Sequence, residues 1–327
     1  MKTKLLEVLR CPRCSETMKT ISREESGGEI RTGTVVCNGP SQHTFDIVDG
    51  IVRMATGFDH DAVKRELEYE NTTYTGSDRL RDPKLIGNFP ETLAELWPHT
   101  CNFGPDFKVL IDHLKLKAGD WVLDVGTGPC WSSRMLAQTG ANVIALDVNE
   151  ADFYGLKTSD ILFEMHNVYF ERILESMTNL PFKDDSLDYI TFNASFHHTP
   201  DMEQTLTQCY RVLKPGGMIA MVNEEFASLR QKVFVAESAT DTGSHHTIPY
   251  AEFEKSVENH GYQISYFVAA HVQEKLAAKL GKGMSSLIVN TMEKFPITLK
   301  QLNSALILLQ KPVYANKTKK QNECVSA

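Results

Sequence analysis

Short apolar runs alternate with helical patterns through the middle of this chain. Val122-Leu123-Asp124-Val125 is an apolar run with one acid, of the length and β-branched content of a buried parallel strand. It ends in Gly126-Thr127-Gly128, a turn with almost no side chain in the way. Ser132 to Gln138 then follows a helical pattern that Gly140 stops, and Val143-Ile144-Ala145-Leu146 is a second apolar run closed by Asp147. These pieces make one βαβ unit, which presents a ligand site at the carboxyl ends of its strands. An acid ending the second strand is placed to accept hydrogen bonds from two ribose hydroxyls.

The same alternation continues downstream. Tyr189 to Phe192 reads as a strand, a helix ends at Arg211-Val212-Leu213, and another strand follows Gly217. Tyr250 to His260 reads as a helix with Gly261 as its stop, then Tyr262 to Val268 as a strand, with a further apolar run from Leu306 to Leu309. Between those two strands, residues 273–293 form a helical insertion suited to substrate recognition or a homodimer contact. Upstream, Asp61 to Glu70 is a charged amphipathic helix and Asn71 to Asp78 a loop. Helical patterns follow around Leu93, Leu96 and Trp97 and from Phe107 to Leu116. The expected units are a small β domain over 1–57, a helical connector and lid over 58–117, an α/β domain over 118–315 and a disordered polar tail over 316–327.

The glycine count separates the nucleotides such a unit could hold. A dinucleotide loop needs G-x-G-x-x-G, and here Pro129, Cys130 and Trp131 follow Gly128. Asp124 would also repel a pyrophosphate and suits a positively charged ligand instead. The pattern D-x-G-x-G resembles motif I of class I S-adenosylmethionine (SAM) methyltransferases, with Cys130 at the family's third glycine. Leu180-Pro181-Phe182, then Asp185-Ser186-Leu187-Asp188, a strand, His197-His198, and Arg211 to Gly217 follow in order. This succession, over residues 121–225, resembles the methyltransferase type 11 group of that superfamily.

The resemblance implies a Rossmann-like α/β fold with a seven-stranded sheet and SAM as cofactor. Asp124, Gly126, Thr127 and Gly128 would meet its methionine part, and Asp147 its ribose. Val148 and Asn149 would lie on the adenosine side, with Asn193 at the end of the fourth strand. Ser176 stands where the family carries an acid for the adenine amine, and Met177 could lie against the adenine face. Tyr69, Tyr74, Trp97 and Phe103 are candidates to wrap the methionine end or the substrate, though each could equally pack a helix onto the sheet. His198 and His197 follow the fourth strand at the mouth facing the transferable methyl. Either could take a proton from a hydroxyl or amine, or serve as a hydrogen-bonded cap of the turn. Glu224, Glu225, His245 and His246 could line the same mouth.

Composition adds a second chemistry. Cys11-Pro12-Arg13-Cys14 has zinc-knuckle spacing, and Cys37 with His43 supplies the other half after a glycine-bearing hairpin. Cys11, Cys14, Cys37 and His43 would form a closed Cys3His site, structural rather than catalytic. The segment resembles the zinc ribbon of tRNA-methyltransferase activator subunits and of rRNA guanine methyltransferases. Residues 1–59 carry eight basic against eight acidic residues, and the whole chain has a net charge of −8, so a phosphate-binding role is disfavoured. Seven unevenly spaced cysteines do not suggest a disulfide framework and favour a reducing cytoplasm. No stretch is long enough to span a membrane, and no membrane partner is expected. The expectation is therefore a SAM-dependent methyltransferase for an oxygen or nitrogen of a small metabolite. An RNA-base methyltransferase that docks RNA through the ribbon is the competing reading.

Overall fold

The computed structural model describes residues 1–56, 81–227, 247–302 and 305–313. The expected helix over 61–70, the loop over 71–78, Tyr69, Tyr74, His245, His246 and the tail over 316–327 lie outside these described residues. The amino-terminal part is a run of antiparallel hairpins: β1 (Met18–Ser26), β2 (Glu29–Cys37), β3 (Thr44–Val48) and β4 (Ile51–Arg53). Gly27-Gly28 and Asp49-Gly50 close two of these hairpins, and all four residues have positive φ, as two-residue turns between twisted strands require.

The α/β part contributes β5 (Trp121–Val125), β6 (Asn142–Asp147), β7 (Glu171–Leu174), β8 (Leu187–Asn193) and β9 (Leu213–Val222), all parallel. Two-residue strands β10 (Phe226–Ala227) and β11 (Ile248–Pro249) pair separately. Then β12 (Gln263–Val268) and β13 (Ala305–Gln310) complete the main sheet as an antiparallel pair. The helices are α1 (Pro83–Gly87), α2 (Leu93–Leu96), α3 (Phe103–Leu114), α4 (Trp131–Ala137), α5 (Ser159–His166) and α6 (Met202–Val212). They continue with α7 (Tyr250–Asn259), α8 (Ala270–Leu280), α9 (Lys282–Lys294) and α10 (Ile297–Leu302). Elements expected from periodicity occur within a few residues of their expected bounds, with α3 starting four residues early.

Strand order is β1-β2-β3-β4-β7-β6-β5-β8-β9-β13-β12, a single 11-stranded sheet. The seven strands from β7 to β12 are the expected sheet. The amino-terminal strands, expected as a separate small β domain, instead continue it, because β4 pairs in parallel with β7 from Ile51–Arg172 to Arg53–Leu174. This pairing covers what would otherwise be an unprotected sheet edge. A second contact comes from Leu9, which bridges Phe182, while the Arg10 amide donates to the Pro181 carbonyl at 2.9 Å.

Beneath that seam lies a buried ionic cluster. The Arg172 guanidinium, on β7 and fully buried, pairs with Glu29 of β2, donates to Asp160 at 2.8 Å and to the Ser159 hydroxyl at 2.8 Å. Arg31 reaches the same Asp160 from β2 with two bonds of 3.0 and 2.9 Å. The Met1 ammonium also donates to Glu29 at 3.1 Å. Gly50 is a glycine for two reasons: its φ is +79°, and a Cβ there would overlap the Glu29 carboxylate and the Arg172 guanidinium.

Two charged residues of the Arg211–Gly217 stretch are also explained by packing. Arg211 donates to the carbonyls of Phe182 (2.6 Å) and Leu180 (2.7 Å), tying α6 to the Leu180-Pro181-Phe182 segment. Lys214 holds both oxygens of Asp188 at 2.8 Å, and Asp188 accepts the Trp121 amide at 2.9 Å. Among the described residues, no helix is long and apolar enough to cross a membrane.

Arg172→Ala would strip the buried Glu29 carboxylate of its fully buried guanidinium partner, leaving the Met1 ammonium at 3.1 Å and Arg31 at 3.3 Å. It should destabilise the fold by about 3–5 kcal/mol, read as a lower midpoint in chemical denaturation, with β1 to β4 becoming protease-sensitive first.

Candidate active site

Asp147 organises the carboxyl end of the sheet. It closes β6, is 8% exposed, and its two oxygens accept the Gly128 amide and the Asn149 amide, each at 2.8 Å. One carboxylate thus ties the glycine loop to the loop after β6. Asn149 in turn fixes its own loop, accepting from the Ala151 amide (2.9 Å) and donating to the Tyr154 carbonyl (3.0 Å).

The glycine loop needs its glycines. Gly126 has φ +65°, and a Cβ there would lie 2.6 Å from the Ser195 Cβ, so the loop presses directly on the turn after β8. Cys130, at the position where the family carries a third glycine, has φ +58°. The left-handed conformation is therefore kept even though the residue is not glycine, at a cost of about 1 kcal/mol. Thr127 is buried, and its hydroxyl lies 3.4 Å from the Cys130 thiol.

Asp124 requires a correction. It is 1% exposed and turned inward, accepting hydroxyls of Ser132 and Ser133 at 2.6 Å and Thr191 at 2.8 Å. Burial pushes its pKa up, against those three hydroxyl bonds. It pins the start of α4 beneath the loop rather than facing a cationic ligand.

The positions expected on the adenine side follow Glu175, whose amide donates to the Asp147 carbonyl at 3.1 Å. Ser176 is buried, with its hydroxyl 2.8 Å from that of Thr178 in a local turn. Met177 packs against the hydrophobic core. Sequence reasoning missed Glu175, an acid one residue before the expected place. Its fully buried carboxylate accepts the Ser176 amide (2.8 Å) and the amide and hydroxyl of Thr56 (3.0 and 2.7 Å). Thr56 follows β4, and Arg53 within β4 pairs with Glu150 at 2.8 Å. The amino-terminal strands therefore buttress both cofactor-side loops.

The two histidines differ sharply in setting. His197 is 5% exposed and its Nδ1 lies 2.8 Å from Glu224 Oε2. Glu224, after β9, also accepts the amides of Ser195 (3.0 Å), Phe196 (3.1 Å) and His197 (3.1 Å). Burial would raise its pKa, but the His197 hydrogen bond and charge and the Ser195 and Phe196 amides outweigh it and hold it below the ordinary glutamate range. The pair therefore locks the turn. His198 is half-buried, its ring tilted against His197 at a centroid distance of 4.3 Å. Asn193, half-buried at the end of β8, accepts from the Asn223 amide group at 2.8 Å. Of the aromatic candidates, Trp97 stacks edge-on against Tyr154 at 5.9 Å, and the Tyr154 ring comes within 3.9 Å of where a Gly128 Cβ would be. Phe103 packs into the second core cluster instead.

Away from this end, Cys11, Cys14, Cys37 and His43 converge, with all four ligand atoms within 4.8 Å of one another. Cys14 and Cys37 sulfurs are 3.1 Å apart, and Cys11 Sγ is 3.4 Å from His43 Nδ1. Such spacings suit a single tetrahedral ion, for which sulfur ligands sit ~2.3 Å from the metal. The Glu16 amide and the Cys37 thiol hold the Cys14 thiol down to about 7, while burial and Cys14 push Cys37 up to about 11. Gly39, which sequence reasoning passed over, donates its amide to the Cys37 sulfur at 3.2 Å, and a Cβ there would sit within 3.3 Å of both sulfurs.

Residues 123–221 match the family described as a methyltransferase domain, so the chain carries such a domain. It is 35% identical over 113 residues to a demethylmenaquinone methyltransferase of Listeria monocytogenes, covering 34% of this chain and 47% of that protein. A demethylmenaquinone methyltransferase of Staphylococcus saprophyticus is 36% identical over 118 residues, covering 34% and 48%. The chain thus spans about half the length of the curated relatives it matches. Among solved structures, a putative sarcosine dimethylglycine methyltransferase from Galdieria sulphuraria aligns with a TM-score of 0.48 at 15% identity, over 78% of this chain and all of that one.

Because the Glu224 pKa is depressed in the folded state, its contribution to stability is fully present at neutral pH. It is lost as pH falls through the folded value. Glu224→Gln should be less stable at neutral pH, and its thermal midpoint should fall less on acidification than that of the wild type, in melts followed from pH 7 to 3.

Proposed function

We propose that the methyltransferase domain transfers a methyl group from SAM to an oxygen or nitrogen of a small metabolite, with zinc as a structural ion in the amino-terminal ribbon. The observation that carries this reading is the Asp147 clamp on the glycine loop, inside a stretch that matches a methyltransferase family. The relatives' names, which specify demethylmenaquinone, support a small-molecule acceptor. When bound, SAM supplies an electrophilic methyl on a sulfonium.

The chain's own residues then orient and move a proton. Asp147 takes the ribose hydroxyls while its amide bonds keep Gly128 and Asn149 in place. Ser176 and Met177 border the adenine, with Glu175 fixing their turn. Trp97 and Tyr154 cover the methionine side of the loop. His198 accepts the acceptor's proton, and the Glu224–His197 pair is the positioning element that holds its turn. Orientation supplies most of the rate, as expected for an in-line transfer, and the base adds roughly 10²–10⁴-fold.

Cys11, Cys14, Cys37 and His43 would hold the zinc, which neutralises the paired thiolates and fixes the knuckle. Thiolate ligands of this kind fit a reducing cytoplasm. The RNA-docking reading is disfavoured because three basic side chains of the ribbon are committed to ion pairs with the α/β part. These are Arg10 with Asp184, Arg31 with Asp160 and Arg53 with Glu150.

Calorimetry should show binding of SAM and none of NAD, and Asp147→Ala should weaken SAM binding at least about tenfold. Binding of NAD instead would sink the reading. Mass spectrometry after offering a small-metabolite extract and, separately, unmodified RNA should show a methylated metabolite. Methylation of RNA alone would establish the competing function. Once an acceptor is known, His198→Ala should lower kcat about a hundredfold with little change in SAM affinity.

A further inference from the structure

We propose that α8 and α9 form a docking face for the surface of a membrane rich in anionic lipid. Eight large hydrophobic side chains are strongly exposed among the described residues, and five of them (Leu280, Met284, Leu287, Phe295 and Ile297) fall in one short segment. Their concentration makes this a patch rather than ordinary surface scatter. On α9, Met284 (54% exposed) and Leu287 (62%) share a face, which Phe295 (68%) continues two turns later. The opposite face of the same helix is occupied: Ser285 is buried, and Val289 and Met292 pack against the core. The helix thus presents Met284 and Leu287 to solvent, among the exposed Lys282, Ser286, Asn290, Thr291 and Lys294, while other apolar side chains face the protein.

Charge identifies what covers that face. The segment over 270–302 carries Lys275, Lys279, Lys282, Lys294 and Lys300 against Glu274 and Glu293, whereas the whole chain has a net charge of −8. Four of those lysines are exposed, and Glu293 is half-buried with its carboxylate accepting the Val268 amide at 3.2 Å. A cationic, apolar island on an acidic protein complements an anionic lipid surface, where apolar side chains enter the headgroup layer and lysines meet the phosphates. A second copy of this chain fits less well. A two-fold pairing of this face would set the lysines against their own copies.

Placement gives the surface a purpose. Strand β12 is antiparallel to β13, which is antiparallel to β9, so β12 runs with the parallel strands. Its end at Val268 therefore delivers α8 and α9 to the carboxyl side of the sheet, the side on which Asp147 and the glycine loop lie. The His271 ring, 2.8 Å from the buried Asp106 carboxylate of α3, anchors α8 there. The sequence expectation of no membrane partner addressed only spanning segments. A surface-docked helix needs none, and this docking does not depend on the chemistry of the site.

The test is co-sedimentation of the full chain with vesicles of phosphatidylcholine alone and of phosphatidylcholine mixed with phosphatidylglycerol. Binding is expected only to the mixed vesicles and should weaken as salt is raised. The triple change Met284→Glu, Leu287→Glu, Phe295→Glu and, separately, Lys275→Glu with Lys279→Glu should each reduce partitioning at least about tenfold. Both variants alter exposed side chains, and unchanged thermal midpoints would show that they fold. Absence of binding to mixed vesicles, or equal binding by folded variants, would overturn the proposal. A wild-type dimer in light scattering that the triple change disperses, without vesicle binding, would instead assign the face to a second copy.

Discussion

A guanidinium removed from water must be surrounded by acceptors, and Arg172 obtains them from both halves of the chain. Glu29 comes from the hairpins; Asp160 and Ser159 come from α5. The charge therefore keeps its full set of partners only when the hairpin carrying Glu29 lies over β7. Apolar packing alone would tolerate sliding at this seam, but hydrogen-bonded charges in a low-dielectric setting do not. Register at the joint is fixed by this cluster, and the sheet is continuous because of it.

From that joint a series of specific bonds runs toward the cofactor side. Arg53 holds Glu150, one residue beyond Asn149, and Thr56 holds Glu175, one residue before Ser176. Asp147 stands between these loops and grips the glycine loop as well. The strands that follow the knuckle cysteines hold two of the three loops around Asp147 through Arg53 and Thr56. The Cys3His cluster and the loops around Asp147 are thereby parts of one mechanical unit.

Much of this was legible in the order of residues, and the reason is locality. A strand, a glycine turn, a helix and a terminal acid declare themselves within thirty-odd residues, and the Cys11–Cys14 spacing within four. What escaped was set by partners from elsewhere in the chain. Asp124 looked free to meet a cation because its hydroxyl partners Ser132, Ser133 and Thr191 belong to two other elements. Glu175 went unnoticed since its importance depends on Thr56, more than a hundred residues earlier. His197 and His198 are adjacent and chemically identical, and only Glu224, in the loop after β9, separates their roles. The ribbon's entry into the main sheet was invisible for the same reason: neither Ile51–Arg53 nor Glu171–Leu174 carries in its own residues the identity of the strand it pairs with.

The β4–β7 pairing also sets an order of events during synthesis. Ile51 cannot find Arg172 until about 120 more residues have been made, so the hairpins leave the ribosome with one strand edge unpaired. An exposed edge of that kind invites association with other chains. A knuckle closed by Cys11, Cys14, Cys37 and His43 draws only on residues 11–43 and can fold as soon as they emerge. Early closure would keep the waiting edge short and well ordered, so the ion would serve the nascent chain before it served the finished enzyme.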